Sequence, residues 1–131
     1  MIVFAHGSRV AEANQSVEAL AETAAKSGGF SRRRAAFLEL AEPSLSEAVA
    51  QLAAEGAERI FVMPYFLVMG VHLRQDLPKL LDEAAAHTPG VELIPTEPLG
   101  GHPNLAEIIV ERTVEARRRS RSGPAVQSPH R

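Results

Sequence analysis

The sequence predicts an α/β fold, a single domain in which a four-stranded parallel sheet is flanked by helices in flavodoxin-like layers. Three observations predict it. Short apolar runs alternate with amphipathic stretches, in the order β-α-β-α-β-α-β-α, from Ile2 to about Arg117. Strands separated by helical crossovers pair in parallel, with right-handed connections and helices on both faces. The chain has 131 residues, is 45% hydrophobic and contains no cysteine. That is enough for one core without disulfides or thiolate-bound metal.

Each element follows from local pattern. Ile2–Ala5 is a short apolar run that stops at His6-Gly7-Ser8. Over residues 10–26, Val10, Ala13, Val17, Leu20, Ala21 and Ala24 form one helical stripe, which Gly28-Gly29 ends. Ala35–Leu40 reads as the second strand. Pro43 suits a first helical turn, Leu45, Ala48, Val49 and Leu52 follow at helical spacing, and Gly56 stops the helix. Arg59–Leu67 is β-branched and aromatic, and Pro64 places the end of that strand near Met63. A third helix is expected from about Leu73 to Ala86, with Leu77, Leu80, Leu81 and Ala84 inward. Pro89-Gly90 is a turn, Val91–Pro95 a fourth strand, and Pro103 to about Arg117 a last helix.

Charge divides the chain. Five of its 14 basic residues fall from Arg117 onward with no acid among them, which leaves nine against all 16 acids, a balance of −7, over residues 1–116. A domain that acidic is a poor nucleic-acid binder. Residues 117–131, rich in Arg, Ser and Pro, are expected to be a disordered tail. No apolar run approaches the roughly 20 residues of a membrane span. Nothing at the start reads as a signal peptide, so the expected location is the cytoplasm.

In open parallel sheets, ligands bind beyond the carboxyl ends of the strands. At that edge the sequence places His6 after the first strand, Glu39 at the end of the second, and His72 after the third. Imidazole and carboxylate together suit divalent metals of borderline softness, and three such donors leave coordination positions open. Asp76 follows His72 by four residues, so on a helix it can accept the imidazole N–H. His6-Gly7-Ser8 can present backbone N–H groups to an anion, and Arg9 adds charge. His102, just before Pro103, reads as part of a helix start. No phosphate-binding glycine loop is present, and HGSR lacks the glycine pattern of a nucleophile elbow.

The stretches HGSRVAEAN (6–14), FLELAEPSLSEAV (37–49) and VMPYFLVMGVHLRQDLP (62–78) resemble the small CbiX-type sirohydrochlorin chelatases, which are class II, ATP-independent tetrapyrrole chelatases. The resemblance spans residues 2–116 and rests on three motifs in order: HGSR, FLEL and G-x-H-x-x-x-D-x-P. One departure is Ala5, where the family usually has glycine before the first histidine.

The resemblance implies a chelatase domain over 1–116 that inserts a divalent ion, with Co²⁺ favoured over Fe²⁺ or Ni²⁺, for cobalamin- or sirohaem-type synthesis. His6, His72 and Glu39 become metal-handling and catalytic residues. For contacts to the macrocycle's carboxylates, the loop's own N–H groups and charge make Ser8 and Arg9 the candidates. Asp76 would support His72. No organic cofactor is implied. The short form builds its cleft as a homodimer, and the apolar Tyr65–Met69 stretch is the expected interface. Two other classes fit the same residues: a non-catalytic carrier or sensor of divalent metal, and a hydrolase or mutase using His6 and Ser8.

Overall fold

In the computed structural model, which describes residues 1–122, the alternation is as expected. The elements are β1 (Ile2–Ala5), α1 (Ala11–Gly28), β2 (Arg34–Phe37), α2 (Leu45–Ala54), β3 (Arg59–Pro64), α3 (Val71–His87), β4 (Glu92–Pro95) and α4 (Asn104–Ser122). The chain divides into two compact units, Met1–Gly100 and the residues from Gly101 onward. No helix among the described residues is long and apolar enough to cross a membrane.

The first unit holds the whole sheet, in the order β2-β1-β3-β4, and every pairing is parallel. Side chains on successive strand residues point to opposite faces. Ile2, Phe4, Ala36, Ile60 and Val62 therefore join Leu45, Ala48, Val49 and Leu52 of α2 and Leu77 and Ala84 of α3. Ala5, Ala35 and Phe37 line the other face with Val17 of α1. Burying a side chain such as Leu52 stabilises the fold by about 2 kcal/mol. No polar or charged side chain is buried among the described residues.

Helix ends follow their local chemistry. Ser44 caps α2 in a capping box: its hydroxyl accepts the Glu47 N–H at 3.2 Å, while the Glu47 carboxylate accepts the Ser44 N–H at 2.8 Å. Hydrogen bonds from Ser44 to the carboxylate, from its backbone N–H first and its side chain second, hold the Glu47 carboxyl below its usual pKa. Gly29 closes α1 in the left-handed region at φ 75°.

Three expectations need correction. In α1 only Ala21 and Ala25 are fully buried, with Val17 partly buried against the sheet, whereas Val10, Ala13 and Leu20 are exposed. Small residues let this helix lie close to the sheet, so the larger side chains at its margin point outward. The second strand ends at Phe37, three residues before Leu40, because the chain turns back there and the Phe37 N–H donates to Pro43 O at 2.9 Å. Pro43 itself lies outside α2, which begins at Leu45 behind its Ser44 cap.

In the second unit, α4 runs to Ser122, so residues 117–122 of the expected tail are helical, and the remainder of that tail lies outside the described residues. The His102 ring nitrogen Nδ1 accepts the Asn104 N–H at 3.1 Å, as its place at a helix start predicted.

Candidate functional site

Strand β1 is central, and α1 covers one face of the sheet while α2 and α3 cover the other. The loops leaving β1 and β3 therefore diverge to opposite faces, which is the arrangement that opens a crevice at the carboxyl edge.

Hydrogen bonding between β1 and β2 continues past both strands. The Leu38 N–H donates to Ala5 O at 2.9 Å, and the Glu39 N–H donates to His6 O at 3.0 Å. This extension brings two of the expected residues together: His6 Nε2 and Glu39 Oε1 lie 2.9 Å apart. Both side chains remain in solvent, 60% and 56% exposed. Two backbone features allow the approach. Gly7 adopts φ 96°, and its Cα faces the Glu39 carbonyl so closely that no side chain fits between them. Leu40, just after Glu39, is held at φ 65°, in the left-handed region.

The β1–α1 loop is bonded within itself. The Ser8 N–H donates to Asn14 Oδ1 at 3.0 Å, and Asn14 Nδ2 donates to Ser8 O at 2.8 Å. The Ser8 hydroxyl accepts the Val10 N–H at 3.0 Å. The Ser8 N–H is thus committed and not open to an incoming anion, contrary to expectation, although its hydroxyl hydrogen can still donate. Arg9 is exposed, without an ion pair among the described residues.

His72 is the second residue of α3 and is exposed. It is not gathered with the His6–Glu39 pair: among the described residues no three His, Asp or Glu side chains converge closely enough to hold a metal ion. Nor does a hydrogen bond join His72 to Asp76, which is also exposed on the first turns of α3. Of the apolar stretch after β3, Leu67 and Val68 are exposed, at 65% and 86%, while Tyr65, Phe66 and Met69 are partly covered. A cleft of about 820 Å³ opens beside it, walled by Phe66, Met69, Leu77, Leu81, Leu93 and Pro95.

Asn14 is the residue that sequence reasoning passed over. It closes the HGSRVAEAN stretch, and its signal was an amide on the first turns of a helix that follows a Ser-containing loop.

Comparison with known proteins agrees with this architecture. The family model described as CbiX matches residues 1–116. The chain is 36% identical to the sirohydrochlorin cobaltochelatase of Methanopyrus kandleri, covering 88% of this chain and 95% of that protein. It is 35% identical to the chloroplastic sirohydrochlorin ferrochelatase of Arabidopsis thaliana, over 86% of this chain and 50% of the plant protein. The crystal structure of a putative cobalamin biosynthesis CbiX protein from Marinobacter aquaeolei superposes with a TM-score of 0.79 at 37% identity, covering 91% of this chain and 97% of that one. With the parallel sheet, the HGSR loop and the FLEL strand end in place, these matches establish that the chain belongs to the CbiX family.

Proposed function

We propose that this chain is a sirohydrochlorin chelatase that inserts a divalent metal, with Co²⁺ the first choice and Fe²⁺ or Ni²⁺ the alternatives. The observation that carries the reading is the exposed His6–Glu39 pair at the carboxyl edge of β1 and β2. The relatives named above act on sirohydrochlorin with cobalt or iron, and this chain shares their family.

Insertion replaces the two inner N–H protons of the macrocycle with M²⁺, so the site must take up an ion, surrender it and pass on two protons. A closed set of four ligands retains a metal. An open imidazole–carboxylate pair leaves most of the coordination sphere to water and then to pyrrole nitrogens. With its Nε2–H donated to Glu39, His6 keeps the lone pair of Nδ1 for the ion or for a proton. Metal and substrate here are both cargo, and no organic cofactor takes part.

His72, at the start of α3, is the second proton acceptor or ligand, and Asp76 lies four residues further on to steady it once the ion is present. Ser8 through its hydroxyl and Arg9 through its guanidinium receive the macrocycle's carboxylates. The working unit is a homodimer, because one sheet edge offers a single wall to a flat ring. The exposed Leu67 and Val68 favour a second copy on that side.

Ultraviolet–visible titration of sirohydrochlorin with each of the three metals, with and without the protein, tests the reading. The expected result is insertion accelerated over the spontaneous rate for at least one metal. Tight metal binding with no acceleration would replace this function with that of a carrier. Sedimentation equilibrium tests the assembly, and a fully active 14.1 kDa monomer would remove the shared cleft.

A further inference from the structure

We infer that Asn14 is a positioning residue for His6, setting the direction of the imidazole by clamping the loop that carries it; this rests on the chelatase reading above. Solvent surrounds most of the His6 side chain. Its side chain is 60% exposed, and Glu39 is its one side-chain partner among the described residues. The direction of the ring is therefore inherited from the backbone.

That backbone is pinned on two sides of a swivel. On one side the Glu39 N–H donates to the His6 carbonyl at 3.0 Å. On the other, the Asn14 carboxamide closes a ring on Ser8, accepting its N–H at 3.0 Å and donating to its carbonyl at 2.8 Å. Between them stands Gly7 at φ 96°, and glycine is the residue with the widest backbone freedom. With Ser8 released, rotation about Gly7 would let His6 and the start of α1 move independently. Asn14 is partly buried and sits on the first turns of α1, so it ties the loop to a rigid element.

The chemistry requires an amide of this length. Aspartate keeps an acceptor for the Ser8 N–H but sets a second acceptor against the Ser8 carbonyl. Alanine offers neither group. Glutamine carries both groups one methylene too far. Both polar atoms of the Asn14 amide are engaged with the Ser8 backbone, so its effect passes through the loop that carries His6.

The test combines kinetics with a direct view of the loop. Asn14→Ala and Asn14→Asp should each lower kcat for metal insertion at least tenfold, a larger change than any in KM for sirohydrochlorin, which the released Ser8 also affects. In a His6→Ala background, adding Asn14→Ala should leave the residual rate within twofold, since the ring it directs is gone. Nuclear magnetic resonance supplies a readout independent of turnover. In the wild type, the Ser8 amide should be protected from exchange and the His6 ring nitrogens should give one sharp set of signals. In Asn14→Asp, which keeps the side-chain volume, Ser8 protection should fall and the His6 signals should broaden or multiply. Unchanged turnover in folded Asn14 variants, or an equal further loss in the His6→Ala background, would overturn the inference. So would an undisturbed His6 spectrum. If the wild type itself fails to accelerate insertion, the chelatase reading falls, and the spectra still decide whether Asn14 sets His6.

Discussion

Gly7→Ala places a methyl group where the Glu39 carbonyl already stands. Two costs arise. An L-residue held near φ 96° stores roughly 1–3 kcal/mol of backbone strain. The added Cβ must also push the Glu39 peptide away, which removes the Glu39 N–H to His6 carbonyl bond, worth about 1 kcal/mol. The total is about 2–4 kcal/mol. Gly90→Ala separates the terms, because Gly90 has a nearly equal φ of 91° with nothing within 4 Å of a Cβ. It should carry the strain alone. Urea unfolding of both variants at a common slope gives the difference, expected at about 1 kcal/mol or more against Gly7→Ala. Activity adds a second axis: widening the gap between His6 and Glu39 should cut metal insertion in Gly7→Ala and spare it in Gly90→Ala. Equal stability of the two variants, together with wild-type turnover in Gly7→Ala, would refute the idea that this contact assembles the pair.

Further outcomes are expected. His6→Ala and His72→Ala should each abolish most insertion while leaving the far-ultraviolet spectrum and melting temperature near wild type, since both residues are exposed; near-normal turnover in either would remove it from the mechanism. Glu39→Gln retains the shape but not the charge and should slow insertion at least tenfold, read in the same assay. Ser44→Ala should cost about 1 kcal/mol through the lost cap of α2, measured by thermal melting. The lowered pKa of Glu47 means its charged form favours the fold, so that contribution is complete above its unfolded value of 4.5 and is lost as pH falls through the folded value. The stability gap between wild type and Glu47→Gln should therefore be open at pH 7 and close in strong acid.

The order of elements was legible because apolar runs, helical stripes and Gly or Pro breaks agreed along the chain. The end of β2 was not. Leu38 and Leu40 prolong the apolar pattern, and only the return bond from Phe37 to Pro43 and the left-handed turn at Leu40 show that the chain has left the sheet. The face of α1 was misjudged for a related reason. Valine and leucine score as core residues wherever they fall, yet of the large side chains expected inward only Val17 packs on the sheet, and the fully buried positions are Ala21 and Ala25. At the site, the nearness of His6 and Glu39 could be read from two adjacent strand ends. The stance of His72 depends on how the β3–α3 loop departs, which no local pattern encodes. Asn14 stayed hidden because its partner is backbone, which leaves no complementary side chain to notice.

A core in which every buried side chain among the described residues is apolar has a practical consequence for enzymology. Acid or base has no fully buried side-chain charge there to create or destroy, so proton uptake should loosen the scaffold through surface groups and the partly buried Met1 ammonium, whose pKa burial lowers. Rate measurements across the range where histidine and carboxylate titrate would then report the proton inventory of the catalytic edge itself, on a platform that stays folded beneath it.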